Sequence, residues 1–184
     1  MTEYTKKYGN IDGVTKNLSF EDIGELVSDK VIALSADVPS FKRLDETFGS
    51  GASVCWLYSH LKKLLVTVGV TEMKMSDSQI RVLAGIIVSN FPSIKLTEFM
   101  LFESRFLGGK YEQFYGETSY VLAITRSLRM FCRELRIIYE MIEAEKSLQA
   151  DKSCDHITWE EYCKSKGYVG TPPSPGHLST KLLK

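Results

Sequence analysis

One stretch, residues 119–145, constrains the fold of this chain more than any other. Its apolar residues recur at spacings of three and four: Val121, Ile124, Leu128, Phe131, Leu135, Ile138 and Ile142. This is the pattern of an amphipathic helix, and it continues for about three heptads. A helix of that length gains most of its stability by burying its apolar side, so the sequence predicts a helical domain built around it.

Four arginines follow the same rhythm on the other side of this predicted helix: Arg126, Arg129, Arg133 and Arg136. At about 100° per residue they form a narrow stripe almost opposite the apolar seam. Like charges at this spacing repel each other, and Glu140, one turn after Arg136, offers the main relief. Guanidinium groups bind phosphate or carboxylate through paired hydrogen bonds, so the stripe is a candidate anion- or partner-binding surface. A solvated outer face without a ligand is the alternative that stays open.

The remaining helix signals predict an all-α fold of about five to seven helices. Ser19 with Asp22 three residues later opens one predicted helix, and the Ser76–Gln79 capping box opens another. Further helices are expected over residues 40–48, 52–68 and 97–107, where Gly108-Gly109 would end the last one. Residues 18–148 are therefore predicted to form a compact helical domain.

Both ends of the chain differ in character from this domain. Residues 1–17 are polar and contain glycines, without a sustained period, which predicts a flexible N-terminal arm. Residues 149–184 are expected to hold one short helix and an extended tail rich in proline and glycine. In that tail we single out Pro172, Pro175, Leu178, Leu182 and Leu183 as a candidate docking segment for a partner protein.

Composition and charge exclude several classes of function. The 184 residues are 43% hydrophobic and 25% charged, with 23 basic and 23 acidic side chains, so no global field attracts nucleic acid or an anionic membrane. No apolar run approaches the ~18 residues of a membrane span, and the N-terminus lacks the apolar core of a signal peptide. We therefore expect no membrane partner, and a location in the cytoplasm of a host cell or in a virion.

Residues that could carry chemistry are sparse. Cys154, His156 and Cys163 lie close together, but no fourth soft ligand stands at a usual spacing, so no metal site is expected. His60 and His177 stand alone in the sequence, and no nucleophile–base arrangement or carboxylate pair can be assembled from it. The sequence thus predicts neither a cofactor nor an enzymatic activity.

One segment resembles a known group of proteins. Its residues are Ile86-Ile87, Asn90-Phe91-Pro92, Leu96-Thr97-Glu98-Phe99, Leu101-Phe102, Gly109-Lys110-Tyr111 and Phe114-Tyr115-Gly116. Through these the segment 83–131 resembles small uncharacterised proteins of gut bacteria and their bacteriophages. Where those proteins usually read Gly-Lys-Tyr-Gly, this chain has Glu112. The resemblance implies a phage or mobile-element setting and supplies no activity.

Two functional hypotheses follow from these features. The first is a non-enzymatic interaction or assembly protein, such as a ring or connector subunit of a bacteriophage virion, which binds other proteins or copies of itself. The second is a DNA-replication accessory that resembles a helicase loader. In that case the arginine stripe would contact DNA or an acidic partner.

Overall fold

The computed structural model describes residues 2–24, 30–70, 74–111 and 120–153, and this part of the chain is all-α. Its eight α-helices are α1 (Glu3–Tyr8), α2 (Ile11–Asn17), α3 (Lys30–Ser35), α4 (Phe41–Phe48), α5 (Ala52–Thr67), α6 (Asp77–Asn90), α7 (Leu96–Leu107) and α8 (Tyr120–Ser153). A 3₁₀ helix, Phe20–Asp22, follows α2. The described residues contain no strand, so the predicted fold class is confirmed.

The N-terminal residues differ from the predicted arm, because they form α1 and α2. Each helix has a side-chain cap: the Thr2 side chain accepts from the Thr5 amide, and that of Asn10 accepts from the Gly13 amide. Val14 of α2 is completely buried. Two such short helices are marginal on their own, and packing on the body stabilises them. A single buried anchor in α2 gives no period to recognise, which is why the sequence suggested an arm.

Helix starts follow the predicted capping chemistry at Ser19 and at Ser76. The amide of Ser19 donates to Asp22, and Ser76 and Gln79 form a reciprocal capping box. The expected start at Thr97 is wrong, since α7 begins at Leu96, with Lys95 as the cap residue. The hydroxyl of Thr97 instead donates to the Ala33 carbonyl oxygen at 2.7 Å, a contact between distant segments that no local pattern encodes.

A chain of aromatic rings forms the centre of the core. Phe41 of α4, Trp56 of α5, Phe99 and Phe102 of α7, and Phe131 of α8 are all completely buried. Ring centroids lie 6.1 Å apart for Trp56–Phe99, 5.5 Å for Phe99–Phe102 and 5.7 Å for Phe102–Phe131. Since truncating one buried phenylalanine typically costs about 3–5 kcal/mol, these contacts hold four helices together.

The end of α7 follows the glycine signal in the sequence. Gly109 has a φ of 75°, a left-handed conformation that favours glycine. Its amide donates to the Phe106 carbonyl, and the Lys110 amide donates to the Arg105 carbonyl. These bonds satisfy carbonyl groups of the last helical turn, as the predicted C-terminal cap requires.

The chain forms two compact units, Met1–Glu134 and Leu135–Lys184. The aromatic core belongs to the first unit. In the described residues of the second, α8 exposes apolar side chains, among them Ile137 (53%), Met141 (59%) and Leu148 (62%). No helix in the described part of the chain is both long enough and apolar enough to cross a membrane.

Candidate functional site

The first half of α8 buries one side and exposes the other. Ile124, Leu128 and Phe131, all from the predicted seam, are completely buried. Their spacing of four and three residues keeps them on one side of the helix. Ala123 and Ser127 are buried beside them. This fixes the rotation of α8 and so decides which residues face solvent.

Five residues of the first unit form what we call the outer face of α8: Leu122, Arg126, Arg129, Met130 and Arg133. All five are exposed, with Leu122 at 50% and Met130 at 48%. At about 100° per residue, these positions lie within about a third of the helical circumference. Three arginines and two large apolar side chains therefore share one solvent-facing strip.

The arginines of this face have no carboxylate partner among the described residues. Other cations of the first unit do pair. Arg105 lies 3.0 Å from Glu134, and Lys110 also contacts Glu134. Glu134 belongs to α8, yet its carboxylate pairs with Arg105 and Lys110, which come before α8 in the chain. The outer face therefore keeps three positive charges that no carboxylate of the described residues neutralises.

Arg136 differs from the other three arginines of the predicted stripe. It belongs to the second unit, and its Nε lies 3.5 Å from Oε1 of Glu140, one turn further along α8. This is the ion pair that the sequence suggested. The two side chains are 77% and 67% exposed, and such surface pairs contribute little to stability. Arg136 is thus already engaged, whereas Arg126, Arg129 and Arg133 pair with no carboxylate in the part of the chain that the structure describes.

A buried polar cluster lies inside the first unit, and the sequence patterns did not predict it. His60 of α5 and Glu103 of α7 are 1% and 0% exposed, and His60 Nδ1 lies 2.8 Å from Glu103 Oε2. His60 Nε2 donates to the Leu18 carbonyl oxygen at 3.0 Å, and Trp56 stacks on the imidazole with centroids 3.9 Å apart. Burial raises the pKa of Glu103, and the nearby His60 opposes this shift.

A signal for this cluster existed in the sequence. His60 stands one turn after Trp56 and one turn before Leu64, on the apolar side of its helix. Glu103 lies between Phe99 and Phe106 in the same manner. A single polar residue at an inward-facing position requires a partner from another element. The pairing itself depends on a contact across 43 residues, which no local spacing reveals.

One family matches the sequence: a family of unknown function, DUF6633, matches residues 74–169. The match covers just over half of the chain. The protein belongs to DUF6633. No curated protein and no solved structure was found to match this chain. The expectation that the chain is similar to uncharacterised proteins is therefore confirmed at the level of a family.

The DUF6633 match begins just before α6 and includes α7 and the described part of α8. The outer face of α8 and Glu103 therefore lie within the DUF6633 region. His60 and Leu18 come from the preceding part of the chain. The buried cluster thus joins the DUF6633 region to residues outside it.

A cleft of about 440 Å³ lies elsewhere in the first unit of this DUF6633 protein, lined in part by Tyr4, Asp37, Arg43 and Lys95. The Tyr4 hydroxyl donates to Asp37 at 3.1 Å, and the Lys95 ammonium donates to the Leu34 carbonyl oxygen at 3.3 Å. Burial and the nearby Asp37 raise the pKa of Tyr4. Several polar groups of the cleft already bond to the protein itself, so the outer face of α8 is the stronger candidate for a partner.

Other predicted sites lie outside the described residues. These are the docking segment with Pro172, Pro175, Leu178, Leu182 and Leu183, and the cluster of Cys154, His156 and Cys163. Within the described ranges no three His, Cys, Asp or Glu side chains are grouped so that they could hold a metal ion. Of the two cysteines described, Cys55 is exposed, and burial raises the pKa of Cys132 to about 11, with Glu98 adding to the shift.

Proposed function

We propose that this DUF6633 protein is a non-enzymatic interaction protein that binds an acidic helix of a partner protein through the outer face of α8. The observation that carries the proposal is the exposure of Arg126, Arg129 and Arg133 without a carboxylate partner in the described chain. Successive arginines lie three or four residues apart, so each repels the next by a few tenths of a kcal/mol. Carboxylates of a partner would remove this repulsion and accept charge-assisted hydrogen bonds.

The length of the face matches a short helical partner. At a rise of about 1.5 Å per residue, the three arginines extend over about 10 Å, or two helical turns. A partner helix with Asp or Glu at positions i, i+3 or i+4, and i+7 presents carboxylates over the same length. Charge complementarity of this kind steers association and fixes the register of the two surfaces.

The apolar residues beside the arginines favour a protein over a nucleic acid. Leu122 and Met130 are about half exposed on the same strip. Arginine and methionine are both enriched at protein interfaces, where apolar side chains of the partner cover the methionine. A phosphate backbone would offer no apolar surface to these two residues. Binding of DNA through the same arginines, as in a replication accessory, is the second candidate and needs only the cationic part of the face.

A virion component is the finer form of the proposal. A ring or connector subunit of a bacteriophage would use such a face to bind a neighbouring subunit. The resemblance of residues 83–131 to proteins of gut bacteria and their phages supports this setting. If the partner is a second copy of this chain, an assembly role is favoured, because a ring consists of repeated subunits.

Site-specific photocrosslinking tests the proposal. A photoreactive phenylalanine analogue replaces Met130 of the outer face, and in a matched control it replaces Lys16, an exposed residue of α2. Both proteins are produced in the native host and irradiated. We expect a crosslink to one protein at position 130, at least tenfold stronger than at position 16. It should disappear when Arg129→Glu and Arg133→Glu are added.

The identity of the crosslinked product separates the candidates. A distinct protein supports an adaptor, a dimer of this chain supports a ring or connector, and a nucleic acid supports the replication accessory and overturns the protein-binding proposal. Equal crosslinking at both positions would mean that the outer face is only a solvated surface. Circular dichroism of the doubly reversed variant must remain unchanged, since exposed side chains contribute little to folding.

A further inference from the structure

The carbonyl oxygen of Leu18 accepts two hydrogen bonds where the N-terminal helices meet the body. His60 Nε2 donates to it at 3.0 Å and Trp56 Nε1 at 3.1 Å. A carbonyl oxygen can only accept, so His60 must carry a proton on Nε2. Leu18 follows directly after α2, and its own amide donates to the Val14 carbonyl. This contact therefore ties the end of α2 to α5. We call it, together with the His60–Glu103 pair, the His60–Glu103 junction.

The other side of the imidazole shares a proton with Glu103. His60 Nδ1 and Glu103 Oε2 lie 2.8 Å apart, and both side chains are at most 2% exposed. With Nε2 already protonated, one further proton lies between these two atoms, and the pair has zero net charge whichever atom holds it. Glu103 Oε1 has no hydrogen-bond donor among the described residues. An ionised carboxylate would therefore be poorly stabilised here.

We propose that His60 and Glu103 form a proton-linked latch, which holds α1, α2 and the 3₁₀ helix on the body more firmly while the pair keeps its one shared proton. Loss of this proton would leave a buried negative charge. The imidazole could not then donate to both Leu18 and Glu103 at once. The connection at Leu18 weakens, and the N-terminal helices detach more often.

Counting protons gives the direction of the pH dependence. In the detached state water reaches the pair, whose groups then titrate near their ordinary values, about 4.3 for glutamate and about 6.5 for histidine. The attached pair holds one exchangeable proton, whereas the detached pair holds one between these values and none above about 6.5. Attachment is therefore insensitive to pH between them and weakens above, by up to about tenfold per pH unit. Burial raises the pKa of Glu103, and a group with a raised pKa contributes stability that is lost as pH rises. This is the same direction as the proton count gives.

Other charged groups at this junction act at a different pH. Lys63 of α5 pairs with Glu21 of the 3₁₀ helix, and this bond lowers the pKa of Glu21 to about 2. A lowered carboxyl pKa contributes stability that is lost as pH falls, here between about 4.3 and about 2. Asp22 accepts from Ser19 within the 3₁₀ helix itself. His60 is the group whose charge acts on Glu103, whereas the Glu21 pair responds only at low pH. A change in attachment above about pH 6.5 therefore reports on the His60–Glu103 latch.

Hydrogen exchange of the Leu18 amide tests the latch. In the native chain its protection factor should fall by up to about tenfold for each pH unit above about 6.5. Glu103→Gln replaces the shared proton by an amide N–H that can donate to His60 Nδ1 but does not titrate. In this variant the protection factor should be constant above about pH 6.5 and should fall below it, because only the histidine of the detached state then gains a proton. Glu21→Gln, the matched control in the same junction, should keep the native slope above that pH.

Parallel pH profiles for the native chain and the Glu103→Gln variant would overturn the proposal. A measurement on the native chain remains decisive if that variant does not fold. The nitrogen-15 signals of the His60 ring should report a protonated Nε2 and a proton shared between Nδ1 and Glu103. An Nε2 without a proton in the folded protein would show that this pair does not hold the N-terminal helices.

Discussion

The His60–Glu103 junction and the outer face of α8 place charged groups in opposite environments. In the junction two ionisable side chains are at most 2% exposed, and each is bonded to a residue more than forty positions away. On the outer face Arg126, Arg129 and Arg133 are exposed and lack carboxylate partners in the described chain. Both regions belong to the first unit.

The difference shows which charges serve the fold and which are available for binding. Removing a charge from water costs several kcal/mol, so a buried ionisable group persists only with a partner in good geometry. An exposed guanidinium remains hydrated and needs no partner to be tolerated. The junction is therefore expected to be sensitive to substitution in stability, and the outer face in binding.

The largest expected effect is at the junction. His60→Ala leaves Glu103 buried without its partner and removes one of two donors to the Leu18 carbonyl. We expect a loss of about 3–5 kcal/mol in the free energy of unfolding, measured by urea denaturation at pH 6. Ser59→Ala, at the preceding position of α5, serves as the control and should cost less than about 1 kcal/mol. A loss below about 1 kcal/mol for His60→Ala would contradict the assigned importance of the junction.

An intermediate effect is expected where a cation is partly buried and paired. Arg105 is 11% exposed, pairs with Glu134 and lies with its guanidinium carbon 5.5 Å from the centroid of the Phe131 ring. Arg105→Ala should lower the free energy of unfolding by about 1–2 kcal/mol, since it removes a charge-assisted hydrogen bond and a packed alkyl stem.

A double-mutant cycle with Glu134→Gln separates the ion pair from the packing. We expect a coupling energy of about 0.5–1.5 kcal/mol between Arg105 and Glu134. Lys110 also contacts Glu134 and should retain part of the stabilisation in the single variant Arg105→Ala. Additive effects within about 0.3 kcal/mol would mean that packing on Phe131 accounts for the whole loss.

The smallest effect is expected on the outer face. Arg133→Gln removes one positive charge from a row of like charges and breaks no ion pair among the described residues. Unfolding free energy should therefore rise by a few tenths of a kcal/mol at low salt, and the gain should vanish near 1 M salt, where charges are screened. Urea denaturation at both salt concentrations measures it. A loss above about 1 kcal/mol would show that Arg133 is engaged in the fold.

Sequence patterns predicted the parts of this structure that depend on neighbours along the chain. The seam of Ile124, Leu128 and Phe131 fixed which side of α8 is buried, and the opposite position of Arg126, Arg129 and Arg133 followed from 100° per residue. The Ser76–Gln79 capping box and the glycine end of α7 were equally local. Each of these features is set by residues within one or two helical turns, so spacing alone reveals it.

The tertiary structure decided what depends on distant contacts. Residues 3–17 form two helices that the sequence pattern did not predict, because α2 buries only one side chain, Val14, and so has no apolar period. Folding likewise brought Glu103 to His60 and directed Glu134 to Arg105 and Lys110. The sequence by itself determined the helices and the cationic face of α8, because a helix repeats within a few residues. Folding determined which charges are satisfied, because a buried polar group takes its partner from whichever element packs against it.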